Sequence, residues 1–134
     1  MTMRRLFSLL RERRGAGAVE FALAAPIFIF LVNGVAQLGI LFIANAVINN
    51  ALAEGARYAT IHPQPTDAQI EAKINGERWG LDGARLDIAP PARGAANGSP
   101  YIELRMTYDV NLNFIFFDIG PVELTQSRRV YLYS

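Results

Sequence analysis

A single carboxylate, Glu20, lies at the start of a long apolar segment, directly behind two arginines and two glycines in the stretch RRGAGAVEFAL. A charged side chain in a helix that enters hydrocarbon costs on the order of 3 kcal/mol, and less near the interface, so it usually has a partner. Two interpretations follow. Glu20 either forms an ion pair with a cationic group, or only interacts favourably with the macrodipole at the N-terminus of its own helix.

No other residues of the sequence form a set that could catalyse a reaction or bind a metal. The one histidine, His62, is followed by a proline, and the absence of cysteine excludes thiol catalysis and cysteine-ligated metals. There is no glycine-rich phosphate loop, and no nucleophile has a nearby base. We therefore expect no enzymatic activity, no metal and no cofactor.

The apolar segment has the length of a membrane span. Residues 21–53 contain no Asp, Glu, Lys or Arg, and the most apolar part, residues 21–47, has 27 residues. As a helix this part would measure about 40 Å, compared with a hydrocarbon core of roughly 30 Å. The membrane is therefore the first predicted partner.

The charges before this segment predict its orientation. Arginines outnumber acidic residues there; residues 1–14 contain Arg4, Arg5, Arg11, Arg13 and Arg14 against Glu12. Such a cluster also suits nucleic acid, but next to a membrane span the positive-inside rule explains it better. We expect a cytoplasmic N-terminus, an extracytoplasmic C-terminal domain and no nucleic-acid partner.

Three kinds of N-terminal segment share this layout. A secretory signal peptide cleaved after Ala46 is disfavoured, because its apolar region should have only about 7 to 15 residues. An uncleaved membrane anchor is a stronger alternative. The third is a prepilin, which has a short basic leader ending in glycine, a cleavage site at that glycine, and a glutamate as the fifth residue after the cut.

The sequence resembles the TadE-like minor pilins, or pseudopilins, of the tight adherence (Tad/Flp) pilus. The resemblance is carried by Arg14-Gly15, by residues 18–23 (AVEFAL) with Pro26, and by residues 55–59 (GARYA). It covers about the first 60 residues, and the rest of the chain only in general layout.

The resemblance implies cleavage between Gly15 and Ala16 by a prepilin peptidase, and assembly through Glu20, Phe21 and Pro26. The new α-amino group of Ala16, with a free pKa of about 8, would be mostly cationic near neutral pH and could pair with Glu20 of the same or a neighbouring subunit. Other pilin subunits and the pilus assembly platform are then partners. The implied location is the bacterial inner membrane, and the pilus after assembly.

Two further features of the apolar helix bear on assembly. Pro26 removes one backbone hydrogen bond and predicts a bend near residues 22–26. Asn33 and Gln37 are four residues apart, so they share a helix face and could hydrogen-bond to another helix. A lone anchor helix that tolerates two amides is the alternative.

Beyond the membrane, the pattern of apolar and polar residues predicts a small α+β domain packed on a long helix of residues 18–61. Ile48, Leu52, Gly55 and Ala59 form an apolar stripe, and Thr66 with Gln69 reads as a capping box that opens a short helix ending near Asn75-Gly76. Ile70 and Ile74 form the buried side of that helix. We expect Trp79 and Leu81 to pack on the core, with an exposed recognition role for Trp79 as the alternative.

The strand signals lie in the last third of the chain. The clearest strand signal is the strict alternation of apolar and polar residues at 101–112. Two further strands are predicted at residues 84–88 and 122–133. We expect a loop at residues 90–100, with a possible tight turn at Asn97-Gly98. The aromatic knot, Phe114–Phe117, could cap the core, dip into the outer membrane interface or contact another subunit, and we favour the first.

The predicted fold is α+β, pilin-like: a membrane-spanning helix with a small antiparallel sheet on its outer half. The predicted division is a leader at 1–15, an assembly helix at 16–47 and an extracytoplasmic domain at 48–134, which includes the continuation of the helix. The favoured function is a minor pilin used in adhesion and biofilm formation. An uncleaved, membrane-anchored binding module is the alternative.

Overall fold

The predicted α+β fold is confirmed by a computed structural model, which describes residues 13–132, with side chains from Gly15 onward. A long apolar helix is followed by a short helix and a three-stranded antiparallel sheet. Most of the predicted leader, including Arg4, Arg5 and Arg11, lies outside the described residues. So does Tyr133, where the last strand was predicted to end.

The long helix, α1, comprises Arg13–Ala59 and has 47 residues. It begins five residues before the predicted start, because Gly15 and Gly17 weaken a helix without ending it. The helix continues through Pro26, so this proline does not terminate it. At the other end Thr60 N–H donates to the Arg57 carbonyl over 3.3 Å, and two prolines follow soon after.

The chain divides into two compact units after Ala36. The hydrophobic core lies in the second unit, and α1 contributes to it through the predicted stripe. Ile48, Leu52, Gly55 and Ala59 are all buried. The stripe therefore covers the core of the folded domain.

The short helix, α2, comprises Asp67–Gly76 and confirms the predicted capping box. The hydroxyl of Thr66 accepts a hydrogen bond from Gln69 N–H, and the Gln69 side chain accepts one from Thr66 N–H. These two bonds satisfy donors that the first helical turn leaves unpaired. Ile70 and Ile74 are fully buried, as predicted.

The sheet has the order β1-β2-β3, with β1 at Leu86–Ala96, β2 at Ser99–Asn113 and β3 at Asp118–Tyr131. The central strand, β2, shows the predicted alternation without an exception. Its buried side chains are Ile102, Leu104, Met106, Tyr108, Val110 and Leu112. Val122, Leu124, Val130 and Leu132 lie against the same core from β3 and the residue just beyond it.

The prediction of a loop at residues 90–100 is wrong. Strand β1 extends to Ala96, and the two consecutive prolines, Pro90 and Pro91, lie at an irregularity in its pairing with β2. Proline lacks the N–H that a ladder needs, but an edge strand with a bulge tolerates it. The tight turn at Asn97-Gly98 is confirmed, since both residues have positive φ, 52° and 80°.

Two further packing predictions are wrong. Trp79 is 81% exposed, although Leu81 is half-buried against the core as predicted. In the aromatic knot only Phe114 lies against the core, where its ring stacks on Phe117 at 5.0 Å. Ile115, Phe116 and Phe117 are exposed, because the four-residue connection from β2 to β3 projects beyond the last core layer at Leu112.

Candidate functional site

The predicted processing site, Gly15 and Ala16, lies in the first turns of α1, and both residues are exposed. A Cβ built on Gly15 or on Gly17 would meet no atom within 4 Å. Glycine in a helix is about 1 kcal/mol less favourable than alanine, so the turn that contains this peptide bond opens at low cost. No described side chain covers this peptide bond, and cleavage there stays a prediction.

Glu20 is exposed on the first part of α1, four residues beyond Ala16. Among the side chains of residues 15–132, none forms a salt bridge or hydrogen bond with its carboxylate; the ion pairs of this part of the chain lie between residues 54 and 129. The described residues thus leave this charge available for a cation supplied by another group.

The helix around Glu20 presents an apolar surface. Phe21 is 73% exposed, Pro26 is exposed, and large aliphatic and aromatic side chains are exposed on both sides of it; they include Val19, Leu23, Ile27, Phe28, Ile29 and Leu31. By length and composition, the helix Gly15–Ala59 could cross a membrane. Exposed apolar area of this extent requires a lipid or protein partner, which supports membrane anchoring.

The two amides predicted to contact another helix differ in their surroundings. Gln37 Nε2 donates a 2.6 Å hydrogen bond to the Asn113 carbonyl at the end of β2 in the same chain. The side-chain oxygens of Asn33 and Gln37 are both buried and accept no hydrogen bond from the described residues. A contact of these residues with another helix stays a prediction.

The sheet is held to the outer part of α1 by close packing at Gly55. A Cβ at this position would overlap Ile74 Cγ1 of α2 and lie 2.9 Å from Ile74 Cδ1 and 3.4 Å from Leu104 Cδ1 of β2. Only a residue without a side chain lets α1, α2 and β2 approach this closely. The glycine of the GARYA motif therefore has a structural role.

A polar contact that the sequence did not predict lies beside this apolar interface. Gln126 Nε2 of β3 donates to Asn45 Oδ1 of α1 over 3.1 Å, and Asn49 Nδ2 donates to the Asn45 carbonyl over 2.8 Å. The four-residue spacing of the two asparagines indicates a shared helix face, but Gln126, the partner of Asn45 on β3, lies 81 residues away along the chain.

The solvent face of the sheet carries a cluster around Arg129. Its guanidinium donates to Glu103 over 2.8 Å and lies 4.2 Å from the ring centroid of Tyr101, which also meets Tyr131 edge to face at 6.0 Å. The hydrogen bond from Arg129 lowers the pKa of Glu103 from its ordinary value. Arg129 is exposed and Glu103 is half-buried at the surface, so solvent screening keeps the contribution of the pair to stability small.

A cleft of about 720 Å³ lies where α1 ends, between the helix terminus and the β1–β2 hairpin. Ala59, His62, Arg93, Tyr101 and Leu132 are among the residues that line it. Arg93 is paired with Asp67 across the rim. The cleft is mainly apolar, and no group of three or more potential metal ligands occurs in residues 13–132.

Part of the chain is similar to a known protein family. The family described as TadE-like protein matches residues 15–57, from the predicted cleavage site through Gly55 and Arg57 of the second motif. No curated protein and no solved structure matches the chain significantly. The predicted resemblance to TadE-like proteins is thus confirmed over residues 15–57.

Proposed function

We propose that the protein is a minor pilin, or pseudopilin, that takes part in assembly of a Tad/Flp-type pilus used for surface adhesion and biofilm formation. The observation that carries this proposal is Glu20. Its carboxylate has no partner among the described side chains, although it lies beside the exposed apolar surface of α1 inside the TadE-like segment.

In this proposal a prepilin peptidase hydrolyses the peptide bond between Gly15 and Ala16. One water molecule is consumed, the leader keeps the carboxylate of Gly15, and the mature chain begins with the α-amino group of Ala16. This group is mostly cationic near neutral pH, because its free pKa is about 8. It then pairs with Glu20 of the same or a neighbouring subunit while the apolar surface of α1 docks between other pilin helices.

The arginines before α1 keep the N-terminus in the cytoplasm and place the sheet domain outside it. The subunit resides in the bacterial inner membrane and passes into the pilus on assembly. Its partners are the prepilin peptidase, other pilin subunits and the assembly platform. It is not an enzyme in this account, since its role is docking.

The second candidate is an uncleaved, single-pass membrane protein whose outer domain binds a ligand or envelope partner. The cleft at the end of α1 favours it, because the cleft combines an apolar wall with His62, Arg93 and Tyr101. This candidate needs neither cleavage nor Glu20.

The Glu20→Ala variant tests the proposal in the native host. The variant should be produced and cleaved like the wild type, yet its amount in sheared pili should fall at least about tenfold, the factor that corresponds to 1.4 kcal/mol of lost docking energy. Glu71→Ala, on α2 of the outer domain, is the matched control and should enter pili normally. Normal incorporation of the Glu20→Ala variant would contradict a role of the Glu20 carboxylate in docking.

A further inference from the structure

The connection between β2 and β3 exposes a compact apolar surface, which we call the β2–β3 loop, residues 114–117. Ile115 is 54% exposed and Phe116 69%, and Ile119 is exposed just after the loop. Phe114 stacks on Phe117, so the loop has a defined shape rather than a row of isolated side chains. Apolar surface presented in this way usually meets a partner.

The structure places this loop next to a definite point of α1. The Gln37 side chain donates to the carbonyl of Asn113, the last residue of β2 and the residue directly before the loop. Gln37 belongs to the same compact unit as the sheet. In that unit the neighbouring helix residues Leu38 and Phe42 are also exposed, at 54% and 73%.

Gln37 lies close to the outer end of the expected membrane span. Counted along the chain from Phe21, about 20 helical residues cover the roughly 30 Å of hydrocarbon and reach Ile40. A loop fixed beside Gln37 is therefore at the outer boundary of the hydrocarbon when α1 spans the membrane. This step rests on the membrane-spanning role assigned to α1 in the proposed function.

The charges around the loop determine how deeply it can enter a membrane and which part of the lipid it can contact. Residues 106–127 contain no Lys or Arg, whereas Asp109, Asp118 and Glu123 lie at this end of the sheet, with Asp109 directly opposite Glu123. Carboxylates resist entry into hydrocarbon, and without cations the loop gains nothing from anionic headgroups. Only the apolar tip is suited to enter the interface.

We propose that the β2–β3 loop inserts Ile115 and Phe116 into the outer leaflet beside α1, so that the sheet domain rests on the lipid surface before assembly. The occupant of this surface is the acyl-chain region of the bilayer. Apolar burial drives the contact, and its strength is therefore insensitive to salt.

Tryptophan fluorescence in vesicles tests this, because the chain has a single tryptophan, Trp79. The full-length protein is reconstituted in phosphatidylcholine vesicles with brominated acyl chains, which quench nearby tryptophans. The test protein carries Phe116→Trp together with Trp79→Phe, and Ile115→Trp in the same background gives a second reading. Phe28→Trp in that background reports on the span itself.

Wild-type Trp79 is the matched control for an exposed aromatic residue away from the boundary. The nearby Asp82 N–H contacts Tyr108 Oη, and Tyr108 lies five residues, or about 17 Å, along β2 from Asn113. We expect strong quenching of the tryptophan introduced at position 28. At positions 115 and 116 quenching should be at least half as strong as at position 28. At Trp79 it should be several-fold weaker than at position 28.

The outcomes separate this proposal from the proposed function. Strong quenching at position 28, with positions 115 and 116 quenched no more than Trp79, would overturn the loop insertion and leave the membrane anchor intact. Protection at position 116 from both bromolipid and aqueous acrylamide would also overturn it, since the loop would then be covered by protein. Absence of quenching at position 28 would overturn the membrane span and the insertion together.

Discussion

Gly55 of α1 lies against side chains of both α2 and β2. We expect Gly55→Ala to destabilise the folded domain by about 1 to 3 kcal/mol, because the added methyl group overlaps Ile74 Cγ1 and approaches Leu104. The measurement is the free energy of unfolding in detergent micelles, followed by near-UV circular dichroism.

The control for this substitution is Gly39→Ala on the same helix. A Cβ at Gly39 meets no atom within 4 Å, so the higher helix propensity of alanine should leave stability unchanged or raised by up to about 1 kcal/mol. Equal stability of the Gly55→Ala and Gly39→Ala variants would contradict the close packing at Gly55.

The sequence predicts the burial of some residues better than that of others. Ile48, Leu52 and Ala59 repeat at helical spacing, and hydrophobic periodicity identifies such residues as core. Trp79 gives no such signal: its size favours burial, but it belongs to the turn after α2, where Gly80 with a φ of 77° redirects the chain. Its exposure is decided by tertiary geometry, which residue type does not encode.

Among the elements, α2 depends most clearly on one local motif. The Thr66→Ala change removes the hydroxyl that accepts from Gln69 N–H and should cost about 1 kcal/mol. Thermal unfolding of the full chain measures this, and Thr66→Ser is the control because serine keeps the acceptor. If both variants melted at the same temperature as the wild type, the capping box would not stabilise α2.

The strands show which elements periodicity can define. The sequence predicts strand β2 with nearly its observed bounds, because one face of the strand is buried and the other faces solvent along its whole length. Strand β1 was truncated in the prediction, since Pro90 and Pro91 usually mark a loop. Their accommodation at an edge-strand bulge depends on the pairing with β2, which is a long-range property.

At the scale of the whole molecule, the sheet domain needs the outer part of α1. Six of the fourteen buried hydrophobic residues within the described chain belong to that helix; they are Ala44, Ile48, Ala51, Leu52, Ala56 and Ala59. The chain after α1 is marginal in length for an independent core. The helix is therefore long and apolar enough to cross a membrane, and its outer part is also a structural part of the domain.

Two fragments test this dependence. A fragment of residues 44–134 should unfold in one cooperative transition, whereas a fragment of residues 60–134 should show none, because its inner sheet face lacks a cover. Urea unfolding followed by circular dichroism distinguishes them. A cooperative transition of similar midpoint in the shorter fragment would show that the sheet folds without the helix.

The sequence predicts the residues of the candidate site in α1, but not the position of the β2–β3 loop beside that helix. Gly15, Glu20 and the apolar helix were identified from charge, spacing and resemblance, and the TadE-like match covers them. The sequence identifies the β2–β3 loop as apolar. The hydrogen bond from Gln37 to Asn113, which fixes the position of the loop along α1, joins residues 76 positions apart. Sequence patterns do not carry contacts of this range.

The N-terminus of the mature protein tests the central claim most directly. Intact-mass measurement of the membrane-bound protein from its native host should give a chain that begins at Ala16, and a strain lacking the prepilin peptidase should retain Met1. A mature chain that keeps Met1 in the wild-type host, or that begins at any residue other than Ala16, would contradict the account.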